Sequence, residues 1–347
     1  MKKLFIIFAV LCLAAPAMAA DWNFYGSARF TTFWISDDFD QVIDGHDGDD
    51  DLLWAQQGNS RIGANVKFND EIGGRFEMSD AMGKRMLYGT YKFGAGELLI
   101  GQTYTPSALF YSNSVFDGDG DLLGVGEHYD GRLQMIQLKM GGFKVALIRP
   151  NVDGVGDVET DVTLPKVEVA YAFKSDMFFA DAFAGYQTFE LDGGALDPSF
   201  DIDAYVAGIG GGVNLGPVYI KASAHIGQNL GDFGNYNPLG FDTGAVIVGG
   251  DVRDTDAFGA LAVVGFNVSE KLVIEGGVGY VNYEKDIAGT QDETGMQYYV
   301  NATINIAPGF FIVPEIGHIT ADYDVGLDVV DPEPTRTYVG AKWQINF

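Results

Sequence analysis

Between residues 22 and 34, apolar and polar side chains alternate one by one. Trp22, Phe24, Gly26, Ala28, Phe30, Thr32 and Trp34 fall on one side, and Asn23, Tyr25, Ser27, Arg29, Thr31 and Phe33 on the other. A period of two predicts a β-strand with one apolar and one mostly polar face. The split recurs at 59–68, where Ile62, Ala64, Val66 and Phe68 oppose Asn59, Arg61, Asn65 and Lys67. At 218–226, Val218, Ile220, Ala222, Ala224 and Ile226 oppose Tyr219, Lys221, Ser223 and His225. Residues 296–306 repeat it, and the last strand sets Val339, Ala341, Trp343, Ile345 and Phe347 against Tyr338, Lys342, Gln344 and Asn346. Amphipathic helices of ordinary length are hard to find.

Alternation alone suits a soluble sandwich as well, and three further features favour a membrane barrel. The strands run to about 9–13 residues, near the roughly 9–11 of a tilted crossing, whereas soluble strands average about 5–6. Aromatic residues sit at strand ends on the apolar face, as in an interfacial girdle. Short links near 69–73, 93–97, 140–143, 174–176, 215–217, 268–271 and 306–309 alternate with long ones near 35–57, 104–128, 150–163, 191–201, 230–252, 285–294 and 321–335. With a briefer link at 80–83, the count is seven turns and eight loops, hence about sixteen strands. Residues 95–103, 129–140 and 176–190 alternate poorly and leave the count open by two. The expected fold is an all-β transmembrane antiparallel barrel in one domain, residues 21–347, with a polar lumen.

Residues 1–20 have the form of an export signal: Lys2 and Lys3, an apolar run from Leu4 to Leu13, and the small-x-small Ala17-Met18-Ala19. Cleavage near Ala19 or Ala20 removes the only cysteine, Cys12, and takes the net charge from −27 to −29. An exported chain without disulfides needs another device to hold it, such as a closed sheet. So acidic a chain lacks the positive footprint that nucleic acid demands. No apolar run outside the signal is long enough for a membrane helix. The destination expected is the bacterial outer membrane, with its lipid as the surrounding partner.

A sixteen-stranded barrel is wide enough for an aqueous channel, so passive transport follows from geometry. The link at 104–128 carries more apolar residues than a solvated loop should, among them Leu109, Phe110, Tyr111, Phe116 and Leu122. Folded inward as the third loop, it would narrow the pore and set the acids Asp117, Asp119, Asp121 and Glu127 across from a basic wall. The inward basic candidates are Arg29, Arg61, Arg75, Lys84, Arg132, Lys221 and Lys342; inward acids include Glu77, Glu168, Glu275 and Glu315. Opposed charges at a constriction select ions by sign, and Arg29 is expected to pair with the acids of 104–128. The first long loop holds eight aspartates from Asp37 to Asp51, a field that would enrich cations at the mouth.

Asp117, Asp119 and Asp121 have the one-three-five spacing of a calcium loop, yet Leu122 and His128 stand where glycine and glutamate belong. An EF-hand is thereby excluded, and calcium on an irregular acidic loop stays an alternative; otherwise no cofactor is expected. The histidines at 46, 128, 225 and 318 show no metal-ligand spacing, and no nucleophile motif appears. The protein is read as no enzyme. Two alternatives stay open: a barrel hydrolase whose site is split between strands, and an exported β-rich adhesin.

Several short segments carry a family likeness. Phe24-Tyr25-Gly26-Ser27-Ala28-Arg29, Gln57-Gly58-Asn59-Ser60-Arg61, Leu87-Tyr88-Gly89-Thr90-Tyr91, Gly101-Gln102-Thr103-Tyr104-Thr105-Pro106 and Leu122-Leu123-Gly124 resemble the homotrimeric outer-membrane porins of sulfate-reducing bacteria, relatives of the general-diffusion porins. The likeness is clearest over residues 1–150 and returns at Phe347. It implies a homotrimer, an inward third loop, and a weakly selective pore for ions and small hydrophilic solutes. It also implies that Arg29 and Arg61 are wall residues and that Phe347 is read by the barrel-insertion machinery.

Overall fold

The computed structural model describes residues 20–38, 50–150, 152, 159–192, 199–323 and 334–347. The expected signal segment, apart from Ala20, therefore lies outside the described residues, as do residues 39–49 of the first acidic loop. Sixteen antiparallel strands close into a barrel. They are β1 (Asp21–Asp38), β2 (Asp50–Gln56 and Arg61–Lys67), β3 (Ile72–Ser79), β4 (Lys84–Phe93), β5 (Gly96–Tyr104) and β6 (Arg132–Met140). Next come β7 (Phe143–Ile148), β8 (Glu159–Asp161 and Lys166–Lys174), β9 (Phe178–Asp192), β10 (Phe200–Leu215) and β11 (Val218–Gln228). The last five are β12 (Thr255–Ser269), β13 (Leu272–Lys285), β14 (Glu293–Ala307), β15 (Phe310–Asp322) and β16 (Thr335–Asn346). Two are interrupted: both pieces of β2 pair with β1, and both pieces of β8 with β9.

Closure comes from β1 against β16, running from Ser27 opposite Asn346 to Asp38 opposite Thr335. The terminal residue extends the seam, since Gly26 and Phe347 exchange backbone hydrogen bonds of 2.7 and 3.0 Å. Among the described residues the barrel sheet thus has no open edge, as lipid requires of a spanning sheet.

Alternation decides what each face meets. Trp22, Phe24 and Trp34 on β1 are exposed, while Ser27, Thr31 and Phe33 on the same strand are buried. Ile220 and Ile226 are exposed on β11, with His225 buried between them; Val339, Trp343 and Ile345 repeat the inversion on β16. Apolar-out, polar-in is the inverse of a soluble barrel and suits a hydrocarbon surround. Turns as short as two residues, 94–95 and 141–142, join strands at one end. At the other end, the connection between β11 and β12 holds a helical turn, Leu230–Phe233, and a small hairpin of Val246–Val248 with Asp251–Arg253. None of the helices in the described residues is long and apolar enough to cross a membrane.

Two irregularities matter below. The break in β2 at 57–60 lies beside Arg29: Ser60 Oγ accepts the Arg29 N–H at 3.0 Å, and the Gln57 N–H donates to the Arg29 carbonyl at 2.9 Å. On β3 and β4, a β-bulge between Glu77 and Met78 shifts the register by one residue.

Candidate functional site

Residues 105–131, between β5 and β6, run along the polar face of the sheet and bond to one strand after another. The Ser107 N–H donates to Glu168 of β8 at 3.0 Å, and the Tyr111 hydroxyl donates to Asp181 of β9 at 2.7 Å. Lys221 Nζ of β11 donates to the Tyr111 carbonyl at 2.7 Å. Asn113 gives its backbone N–H and its side-chain amide to the two oxygens of Glu275 on β13, at 2.7 and 2.6 Å. Glu315 of β15 accepts from Ser114 Oγ, the Val115 N–H and the Phe116 N–H at 2.9, 2.8 and 3.1 Å. Then Asp119 meets Arg29 of β1 at 2.5 Å and Lys342 of β16 at 2.6 Å. An irregular segment leaves many backbone N–H groups without partners, and buried carboxylates on the wall supply the acceptors.

On its way back the segment passes so close to the wall that only glycine fits. A Cβ on Gly126 would sit 2.4 Å from the Ala260 carbonyl oxygen, and one on Gly279 would sit 1.9 Å from that of Val125. His128 stands edge-on to His225 of β11, ring centroids 5.8 Å apart, and burial holds its imidazole down at about 4. Asp130 pairs with the fully buried Lys166 of β8, which also donates to the Phe233 carbonyl at 3.0 Å. Burial alone would raise the Asp130 carboxyl, but the Lys166 charge overrides it and holds the group below the usual carboxylate range.

Between the tip of the segment and the wall, from β14 across the β1–β16 seam to β6, lies a cavity of about 630 Å³. Arg29, Arg61, Arg85, Arg132 and Lys342 line it from the wall, and Asp117, Asp119 and Asp121 from the segment. Glu77 serves three guanidinium groups at once: Arg85 and Arg75 at 2.8 Å each, and Arg61 at 3.5 Å. Asn59, in the break of β2, donates to the Gly118 carbonyl and to Asp119 at 2.6 and 2.9 Å, tying the tip to the wall.

A closed sixteen-stranded barrel, apolar outside and with a polar, cation-lined cavity, has known counterparts. The family model described as Gram-negative porin matches residues 8–322. The chain belongs to this family. It is thus a passive-diffusion channel of the bacterial outer membrane. Solved structures agree in fold. The outer membrane channel DcaP of Acinetobacter baumannii is 16% identical, with 95% of this chain and 98% of that one covered and a TM-score of 0.74. The anion-selective porin from Comamonas acidovorans is 12% identical over 94% and 100% of the two chains, TM-score 0.60. OmpF of Salmonella typhi, in complex with daunomycin, is 14% identical over 95% and 98%, TM-score 0.60. No curated protein matches the chain.

Within this porin the residues singled out from sequence fall into different roles. Arg29, Arg61, Arg132 and Lys342 line the cavity. Arg75 does not; it donates to Tyr25 Oη at 2.7 Å and to Glu77 below it. Lys221 is spent on the Tyr111 carbonyl, with Glu275 4.0 Å away. Lys84 was expected to face the lumen, and the structure corrects this. The bulge pairs it with Met78, and it is exposed beside the outward-facing Leu87 and Ile100. Its neighbour Arg85 takes the inward place, a residue that strict alternation misses.

Among the acids, Asp119 carries the contact with Arg29, and Asp117 accepts from the Tyr236 hydroxyl at 3.2 Å. Burial and the Asp119 charge push the Asp121 carboxyl well up. Glu127 does not line the cavity but is buried and accepts the Tyr111 N–H at 3.2 Å; burial pushes its carboxyl well up too. Calcium on Asp117, Asp119 and Asp121 finds no support. The backbone is left-handed at all three, and no three His, Cys, Asp or Glu of the described residues are grouped to hold a metal. Phe347 ends the chain at the β1 seam with its ring exposed.

Proposed function

We propose that 105–131 is an inward-folded third loop and that the cavity beside Arg61, Arg85 and Arg132 is the constriction of the pore. The observation that carries this reading is the chain of contacts from Glu168 through Glu275 and Glu315 to Arg29 and Lys342, which commits the segment to the wall on nearly every side. Ions and small hydrophilic solutes then pass through the water left between segment and arginines. Cations outnumber acids there, so anions are favoured at the narrowest point.

The finer readings belong to the same proposal. The porin acts as a conduit and not as an enzyme, which the family assignment supports. It assembles as a homotrimer of the kind found in sulfate-reducing bacteria, as the motifs near its N-terminus suggest. Residues 1–20 direct export, and Phe347 serves the insertion machinery. Single-channel recording in a planar bilayer tests the central claim: stable steps closing in thirds, with a reversal potential of anion-selective sign under a salt gradient. Folded barrels with cation-selective currents would overturn the assignment of the basic wall as the selecting element.

A further inference from the structure

Two features of the constriction exceed what passive ion flow needs. The first is an excess of guanidinium groups. Arg61, Arg75 and Arg85 share the single carboxylate of Glu77. Arg132 has no carboxylate partner among the described residues; it donates to the Tyr104 hydroxyl at 3.1 Å and lies over that ring, 5.1 Å from its centre. Like charges gathered where water is scarce repel one another, and an anion entering the cavity relieves that repulsion.

The second feature is a run of aromatic rings on the same cavity. Tyr104 meets Phe110 edge-on at 5.1 Å, Phe110 lies 5.9 Å from Tyr129, and Tyr129 lies 6.4 Å from Tyr236. All four line the cavity that Arg61, Arg85 and Arg132 line. Other large apolar residues of the segment, Tyr111, Val115, Phe116, Leu122 and Val125, are buried against the wall, yet Phe110 is 43% exposed. The part of that ring left in water gains nothing from the fold. A solute with a flat apolar body would cover it.

We propose that the constriction is a saturable binding site for small aromatic carboxylates. The carboxylate is taken in bidentate fashion by Arg132 with Arg61 or Arg85 beside it, and the ring lies against Phe110 and Tyr129. A volume near 630 Å³ is of the size of small-molecule sites, roughly 300–1,000 Å³. The proposal deepens the channel reading above and rests on it.

The test is chloride current through the folded porin in a planar bilayer, with benzoate, acetate or benzamide added. Benzoate is expected to halve the current at a concentration at least tenfold below that needed of acetate or benzamide. Phe110→Ser should bring benzoate to the level of acetate, and Arg132→Gln should raise its half-blocking concentration at least tenfold. Equal block by benzoate and acetate would overturn the aromatic wall; equal block by benzoate and benzamide would overturn the arginines. A barrel shown to be folded by heat-modifiable gel migration, yet passing no current, would instead sink the channel reading itself.

Discussion

Two stretches of the same inner wall treat charge in opposite ways. From β8 to β15 the wall carries acids, and Glu168, Glu275 and Glu315 are each at most 2% exposed. From β1 to β6 it carries arginines, and Arg29, Arg61, Arg85 and Arg132 among them line open space. The acids act as acceptors for an irregular segment that would otherwise leave its N–H groups unpaired. The arginines have too few acids to satisfy them, so their charge is available to whatever enters. Residues that look alike as inward charges thus divide into anchors and lining, and the difference should show in which property a substitution changes.

Glu315→Ala should have the largest effect. Five donors converge on this carboxylate, with Asn301 Nδ2 at 2.9 Å and the Tyr338 hydroxyl at 3.2 Å added to Ser114, Val115 and Phe116. Removing it orphans two buried backbone N–H groups and three side-chain donors, a loss of about 4 kcal/mol. Urea unfolding in detergent would read the loss, and limited proteolysis would show cleavage within 105–131. A variant that unfolds like wild type and resists protease would mean that the segment does not depend on its acid anchors.

A second anchor is sensitive to pH. His128 is fully buried, with Asp130 raising its affinity for protons and Lys166 lowering it, and burial wins, holding it at about 4 against an ordinary 6.5. The unfolded chain therefore binds the proton more readily. The stability from the neutral imidazole is fully present above about pH 6.5 and is lost as pH falls toward 4, by about 3 kcal/mol at most. Asp121 and Glu127, raised by burial, act in the opposite sense and favour the fold on acidification. The useful quantity is thus the difference between wild type and His128→Gln, measured by urea unfolding at pH 7 and pH 4.5. Wild type should lose more than the variant; parallel losses would place His128 outside the linkage.

How far this division could be read from sequence depends on the range of the interactions. Lipid and water are such different surroundings that period two alone orients Trp22, Phe24, Arg29 and Trp343. The surplus of apolar residues in 104–128 is likewise a local signal of packing. That Glu315 would accept from Val115, two hundred positions away, is not local and left no trace in either segment. Alternation places Lys84 on the wrong face because the bulge turns both Arg85 and Met86 inward, and the sequence carries no sign of the extra residue. The one-three-five aspartates misled because spacing fixes ligand geometry only when the backbone conformation is known, and here it is left-handed at Asp117, Asp119 and Asp121.

Arg85→Gln sharpens the comparison from the other side and should cost the least stability. Glu77 would keep Arg75 at 2.8 Å, Arg61 at 3.5 Å and the Tyr25 hydroxyl at 2.9 Å, so its carboxylate stays satisfied. Loss of one charge-assisted bond is set against relief of repulsion among three guanidinium groups, and the net cost should be about 1 kcal/mol or less. Permeation should respond where stability does not. The reversal potential under a salt gradient should move toward cations, and Arg61→Gln in the same chain should move it further. Were Arg85→Gln instead to destabilise the barrel as much as Glu315→Ala while leaving the reversal potential unchanged, the arginine would be an anchor like the acids. The contrast between the two stretches of wall would then come from position along the sheet and not from the sign of the charge.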